Sequence, residues 1–233
     1  MMQKIIRIIE ECKKIILDQN NSDSIQALYI GGSIKPQDRV RDSDIDVIGI
    51  VFETFPEDLE AKINKELKES IINMKCKLRV LYLSELQGGN QKGFISKLLP
   101  VKLFIRRIPF FPLIWGNPLE IENTIGPYTI HEEIKVQTVL LTKYINNIDS
   151  INNKIPFEWI PKAILYLAAL ELEFRRKAEY TISFSEIQNQ WNDHKNHIVH
   201  DSIHIRQNNY EISDSDKDKY ITKAINYMEN IKG

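Results

Sequence analysis

Residues 30–47 read IGGSIKPQDRVRDSDIDV, and this stretch decides the fold class and the chemistry that the chain can support. Near its end Asp44 and Asp46 are separated by one apolar residue and run directly into an apolar segment over 47–52. Alternate side chains of a strand share a face, so Asp44 and Asp46 are expected to project together from one edge of a sheet. Two carboxylates that close repel each other strongly in a dry site, and a hard divalent cation is the usual remedy.

A turn of three small residues, Gly31, Gly32 and Ser33, lies ten residues before the first of these acids. The glycine pair lets the backbone approach a charged group with no Cβ in the way, and exposed N–H groups in such a turn suit phosphate oxygens. The turn and the acids together predict a Mg²⁺-nucleotide site. The alternative is an ordinary β-turn joined to a strand that begins with solvated acids.

The arrangement resembles the nucleotidyltransferases of the DNA polymerase β superfamily, whose signature is Gly-Ser, a spacer of about this length, and Asp-x-Asp. The matching residues here are Gly32, Ser33, Asp44 and Asp46. The resemblance implies that Asp44 and Asp46 carry two Mg²⁺ ions and take part in catalysis. It also implies that the backbone at Gly31, Gly32 and Ser33 holds the phosphates of ATP or another NTP.

Length and composition fit such an enzyme without requiring it. The 233 residues are enough for one large domain or two small ones, and 42% hydrophobic with 27% charged residues is ordinary for a soluble globular protein. A net charge of −1 gives no global positive field to hold long nucleic acid.

The cysteines and the apolar runs indicate a cytoplasmic protein with no membrane partner. Cys12 and Cys76 have no zinc-type spacing, and so small a number of cysteines favours a reducing compartment. Arg7 and Glu10 interrupt the N-terminal apolar pattern, which excludes a signal peptide. No apolar run approaches the roughly 20 residues that a membrane span needs.

The periodicity of apolar residues predicts two regions of different structure. In the first, we expect helices over 2–18 and 56–74, strands over 26–30, 45–52 and 76–83, and a buried strand over 110–115. In the second, we expect helices over 131–149, 158–179, 183–198 and 215–231. The predicted fold is α/β (α+β): a small mixed-sheet nucleotidyltransferase domain over 1–115, followed by a helical-bundle domain over 116–233.

Within the superfamily, the layout is most similar to the aminoglycoside adenylyltransferase group. Apolar residues and a glycine close the first domain at 113–116, a long helix with aromatic residues follows, and a later helix ends at Trp191. The resemblance implies Mg²⁺-dependent transfer of AMP from ATP onto a hydroxyl of a small acceptor such as an aminoglycoside-like antibiotic. A protein or an RNA end is the alternative acceptor.

The sequence departs from the family at two places. Active members have a third carboxylate on the next strand, where this chain has Lys77 and Arg79 as the candidates, and neither can coordinate Mg²⁺. Phe184 occupies a position where the adenylyltransferases tend to have a nucleotide-binding lysine. Four glutamates of the helical region offer a substitute for the third acid: Glu132, Glu133, Glu171 and Glu173.

Three explanations of the missing acid remain open. Glu133 is the first choice for the general base, because it opens the first helix after the domain junction, and Glu132 points about 100° away on that helix. Alternatively, the two aspartates suffice for a slower transfer. The third explanation is a different function: a catalytically degenerate member that acts as a nucleotide-binding or protein-interaction module.

Four of the five histidines fall within eleven positions, at His194, His197, His200 and His204. On one continuous helix they would share a face and could bind zinc or nickel. The alternative is a polar stripe at a helix end, in a segment rich in Asn and Asp.

Overall fold

The computed structural model describes residues 2–18, 22–31, 38, 44–72, 74–93, 96–97, 99–148 and 155–232. The chain forms two compact units, Met1–Pro127 and Tyr128–Gly233. The first unit contains helices and strands in this order: α1 (Met2–Asp18), β1 (Ile25–Gly31), β2 (Ile45–Val51), α2 (Leu59–Ser70), β3 (Cys76–Tyr82), α3 (Leu83–Leu86), α4 (Val101–Arg107) and β4 (Leu113–Gly116). The second contains α5 (Ile130–Asn147), α6 (Trp159–Arg176), α7 (Phe184–Gln190), α8 (Ile198–Gln207) and α9 (Asp214–Lys232). The predicted mixed α/β class is confirmed.

The first unit is built on a four-stranded sheet with the order β3-β2-β1-β4. β2 and β3 run parallel, whereas β1 is antiparallel to both β2 and β4. Helices α1 and α2 cover one face of this sheet, and α3 and α4 cover the other. Because both faces are covered, β1 and β2 are apolar almost throughout and not alternating, and their side chains are buried except near one end.

The free edge of β3 is closed by a side chain of α2. Asn64 donates from Nδ2 to the Leu78 carbonyl (3.0 Å), and its Oδ1 accepts from the Leu78 N–H (2.7 Å). The amide thereby replaces the hydrogen bonds that a neighbouring strand would make. Since Leu78 and Cys76 are also buried, the backbone of β3 is fixed on both sides of Lys77.

The prediction of a buried strand over 110–115 is wrong in two respects. A 3-10 turn covers Ile108–Phe110, and β4 begins only at Leu113. β4 lies at the edge of the sheet, so its residues are half-buried or exposed, with Leu113 41% exposed.

The end of β4 and the residues that follow it still contact β1. Gly116 pairs with Ala27 of β1, and the Leu119 N–H donates to the Tyr29 hydroxyl at 2.7 Å. The division between the two units therefore falls after Pro127, whereas the sequence pattern sets the domain boundary after residue 115.

In the second unit, α6 is the central helix and packs against α5, α7 and α8. It is apolar on several sides, with Ile164, Leu165 and Ala168 fully buried, as expected of a helix surrounded by others. The prediction of one helix over 183–198 is wrong, because α7 ends at Gln190 and α8 begins at Ile198. Within the part of the chain that the structure describes, no helix is both long and apolar enough to cross a membrane.

Candidate functional site

The two signature carboxylates lie at the N-terminal end of β2. Asp44 immediately precedes the strand and Asp46 is its second residue. Both are half-buried, whereas Ile45 and Val47 between and beside them are buried in the core. The apolar neighbours fix the backbone, so the carboxylates sit on a rigid element at the rim of the sheet.

A lysine from the adjacent strand lies beside both carboxylates. The Lys77 ammonium donates to Oδ2 of Asp44 at 2.9 Å. In the parallel ladder Lys77 is in register with Asp46, and registered residues of neighbouring strands project from the same face. The structure therefore brings the cation at the candidate position of the expected acid into direct contact with Asp44 and into register with Asp46.

Arg79, the other candidate position for the missing acid, has a different environment. It is in register with Ile48 of β2. Burial raises the pKa of Glu60 on α2, and the nearby guanidinium of Arg79 partly offsets that rise. The charge of Arg79 thus influences Glu60 on α2, whereas the charge of Lys77 contacts the carboxylate of Asp44.

Gly31 lies on the other side of β2 and carries no side chain. It pairs with Asp46 across the antiparallel ladder. A Cβ at Gly31 would lie 3.1 Å from Cδ1 of Ile48 and 3.6 Å from the Asp46 carbonyl oxygen, so a side chain would crowd the carboxylate rim. Gly32 and Ser33, the other two residues predicted to bind phosphate, lie outside the described residues.

The donor set suits a magnesium nucleotide better than a metal cage made of protein alone. Among the described residues, no group of three or more His, Cys, Asp or Glu side chains could hold a metal ion. Mg²⁺ usually keeps several waters and binds through one or two carboxylates plus the phosphates of its substrate. Asp44 and Asp46, with Gly31 paired to Asp46, offer the two carboxylates that such a site would use.

The two glutamates that open α5 differ in their surroundings. The Glu132 carboxylate closes a capping box, accepting from the Thr129 N–H (2.9 Å) and the Thr129 hydroxyl (2.8 Å). Glu133 is fully buried. Glu132 is therefore committed to the helix terminus, and Glu133 as general base stays a prediction.

Glu171 is also committed, to a network inside the second unit. Its Oε2 accepts from the Tyr227 hydroxyl at 2.7 Å and lies 3.5 Å from Nε2 of His197, and its Oε1 lies 3.4 Å from Arg175. Burial alone would raise the pKa of Glu171, but the proximity of His197, the hydrogen bond from Tyr227 and the charge of Arg175 outweigh it, and the pKa is lowered. The carboxylate is held as an anion by its own unit.

The four histidines do not share one helix face, because only His200 and His204 lie within α8 and no single helix runs through 194–204. His197 is the N-cap of α8, accepting from the Val199 N–H at 3.3 Å, and its ring stacks on Trp191 with 3.6 Å between centroids. His200 contacts the Trp191 carbonyl at 3.2 Å and His204 contacts Asn208. Each ring makes its own local contact, and the zinc or nickel hypothesis loses its geometric basis.

Phe184, found where the resemblance expects a lysine, belongs to the core of the second unit. It is buried against Tyr166, with 5.4 Å between the ring centroids. The guanidinium of Arg206 lies over its ring at 4.2 Å, in a cation–π contact that sequence reasoning missed.

Comparisons with known proteins give a likeness in fold and no match by sequence. No family model matches the chain, and no curated protein matches it in sequence. A spectinomycin adenyltransferase, AAD(9) from Enterococcus faecialis, solved with ATP and spectinomycin, is similar in structure with a TM-score of 0.63. The two are 14% identical, over 97% of this chain and 98% of that chain. At this level of identity the likeness shows that the chain has an aminoglycoside adenylyltransferase-like fold.

Proposed function

We propose that the protein is a Mg²⁺-dependent nucleotidyltransferase that moves a nucleoside monophosphate, AMP from ATP, onto a hydroxyl of a small acceptor such as an aminoglycoside-like antibiotic. The observation that carries the proposal is the pair Asp44 and Asp46 on the rim of β2, beside the glycine rim at Gly31. A neighbour of the same fold was solved with ATP and an antibiotic, which supports the choice of nucleotide and acceptor class.

Each site residue has a role that follows from its chemistry. Asp44 and Asp46 would hold the magnesium, which when bound neutralises charge on the triphosphate and on the leaving pyrophosphate. The backbone at Gly31, Gly32 and Ser33 would donate N–H groups to the phosphate oxygens. Glu133 is assigned to accept the proton of the acceptor hydroxyl.

The overall charge of the chain supports a small acceptor over long nucleic acid. A net charge of −1 supplies no general attraction to a phosphate backbone. A cationic antibiotic, by contrast, needs only a local set of carboxylates, which the 32 acidic residues can provide.

The direct test is pyrophosphate release with each NTP, in the presence and absence of an aminoglycoside and spectinomycin panel. We expect Asp46→Asn to lower turnover by roughly 100-fold or more, as loss of a main electrostatic contact to the reacting phosphates does. Asp218→Asn, which makes the same charge change at an exposed position of α9, is the matched control and should keep wild-type turnover. Wild-type protein that releases no more pyrophosphate than Asp46→Asn with every NTP and acceptor would refute the proposal.

A second function, a nucleotide-binding module without turnover, is favoured by one contact. Lys77 already neutralises Asp44, at a place where active relatives are expected to have an acid. Calorimetry with ATP and Mg²⁺ separates the two functions: tight binding with no pyrophosphate release supports the binding module, and binding followed by release supports the enzyme.

A further inference from the structure

The negative charge at the rim of β2 is partly offset by a cation that the signature alone does not reveal. Asp44 and Asp46 contribute two negative charges, and Lys77 places one positive charge 2.9 Å from Oδ2 of Asp44. An ammonium at this distance competes with a metal ion for Oδ2 of Asp44.

The position of Lys77 is set by the fold. Its strand neighbours Cys76 and Leu78 are buried, and the Leu78 backbone is clamped by Asn64. The register then puts Lys77 opposite Asp46. The flexible stem of a lysine still lets the ammonium swing from one carboxylate to the other or to a phosphate oxygen, as its side chain is 42% exposed.

On the basis of the nucleotide site proposed above, we infer that Lys77 is a resident cation of the carboxylate pair. It takes the charge-neutralising place of a second divalent ion, so the site binds one Mg²⁺ and not two, and binds it together with the nucleotide. Free Mg²⁺ gives up its waters reluctantly, and an acid pair whose net charge Lys77 reduces from −2 to −1 attracts it less strongly. A nucleotide that brings its own phosphate oxygens restores the negative charge that the ion needs.

Binding of Mn²⁺ alone, followed by electron paramagnetic resonance of the free ion, tests this inference without reference to activity. We expect Lys77→Met to tighten Mn²⁺ binding at least about 10-fold, because it removes a unit charge a few ångströms from the ion in a partly exposed site. Lys68→Met is the matched control: Lys68 is exposed on α2, which covers the opposite face of the sheet, and its loss should change Mn²⁺ affinity less than about twofold, as expected for a screened surface charge.

Two further variants test whether the change in Mn²⁺ affinity depends on Asp44 and on the charge of residue 77. The double variant Asp44→Asn with Lys77→Met should lose the gain in Mn²⁺ affinity, because the Asp44 carboxylate that Lys77 contacts in the wild type is then absent. Lys77→Arg keeps the charge and should retain wild-type Mn²⁺ affinity. Thermal unfolding of each variant confirms that the fold is intact.

A second titration with a non-hydrolysable ATP analogue counts the ions. Wild-type protein should bind one Mn²⁺ per bound analogue, and Lys77→Met should bind two. Equal Mn²⁺ affinity of wild type and Lys77→Met, or two ions on wild type, overturns the inference. If the analogue binds to neither protein while Lys77→Met still gains Mn²⁺ affinity, the resident cation is supported and the proposed nucleotide function fails.

Discussion

Tyr227→Phe removes a single hydroxyl from the network that anchors the carboxylate of Glu171. Glu171 is only 7% exposed, and the Tyr227 hydroxyl is the group that donates to it at 2.7 Å. Phenylalanine keeps the ring and its edge-to-face contact with His197, so the variant isolates the hydrogen bond. A hydrogen bond to a charged group contributes about 1.5–3 kcal/mol, and we expect Tyr227→Phe to lower the free energy of unfolding of the second unit by about 2 kcal/mol at pH 7.

The loss of stability caused by Tyr227→Phe should be larger at neutral pH than at acidic pH. The pKa of Glu171 is lower in the folded protein than in the unfolded chain, where a glutamate has a value of about 4.3. The stability that the carboxylate contributes is therefore present above that value and is lost as the pH falls through the folded pKa. The cost of Tyr227→Phe should be full at pH 7 and should shrink below about pH 4.

Urea unfolding followed by Trp191 fluorescence reports on this network, because the Trp191 ring stacks on His197. Trp115→Phe and Trp159→Phe in the background remove the other two tryptophans. In a double-mutant cycle with Glu171→Gln, the cost of Tyr227→Phe should fall to about 1 kcal/mol, the level of a neutral hydrogen bond. A cost below about 0.5 kcal/mol at pH 7, or one that is the same at pH 7 and pH 3, would refute the reasoning.

Gly116→Ala should destabilise the first unit by roughly 3 kcal/mol or more in thermal unfolding, because Gly116 has φ +80° and an added Cβ would lie 2.2 Å from the Gln26 carbonyl oxygen. Gly126→Ala, with φ +73° and no atom within 4 Å of its Cβ, is the matched control and should cost only about 1 kcal/mol; equal costs would contradict the steric argument. Glu133→Gln should lower turnover roughly 100-fold with little change in ATP affinity, the size of a general-base contribution, while Glu132→Gln keeps turnover within a few-fold. Wild-type turnover of a folded Glu133→Gln protein would exclude Glu133 as the base.

The elements that the sequence predicts correctly are those set by local periodicity. The apolar spacing over 2–18 predicts a helix, and α1 covers Met2–Asp18. The apolar run over 45–52 and the alternating pattern over 76–83 predict two strands, and β2 and β3 follow them to within one residue. In these segments side-chain burial and backbone preference favour the same structure, so neighbouring residues carry enough information.

The elements that the sequence misses depend on contacts between distant residues. α4 lies between Pro100 and Pro109, which indicate a loop, yet Pro100 is its N-cap and four of its seven residues are buried under the sheet. The break between α7 and α8 follows from packing of Trp191 against His197, and the pattern of polar residues there is equally compatible with a continuing helix.

The candidate site also has one part that the local sequence predicts and one part that depends on contacts between distant residues. The spacing of Asp44 and Asp46 predicts that both lie at the rim of one strand, which needs only the two-residue period. Their contact with Lys77 depends on β3 lying next to β2, in parallel and in a specific register. No local pattern encodes that register, so the sequence shows Lys77 only as the absence of an acid.

The identity of residue 77 is not explained by stability. The Lys77 and Asp44 side chains are 42% and 29% exposed, and an ion pair this accessible contributes about 0–1 kcal/mol. β3 is held in place by the buried side chains of Cys76 and Leu78 and by the two hydrogen bonds between Asn64 and the Leu78 backbone. None of these contacts involves the side chain of Lys77. The fold would therefore tolerate a glutamate at this half-buried position. Since packing leaves the charge at this position open, the positive charge is best explained by the chemistry of the carboxylate pair. On the proposed function, a site with this charge set would bind a single Mg²⁺ ion together with the nucleotide.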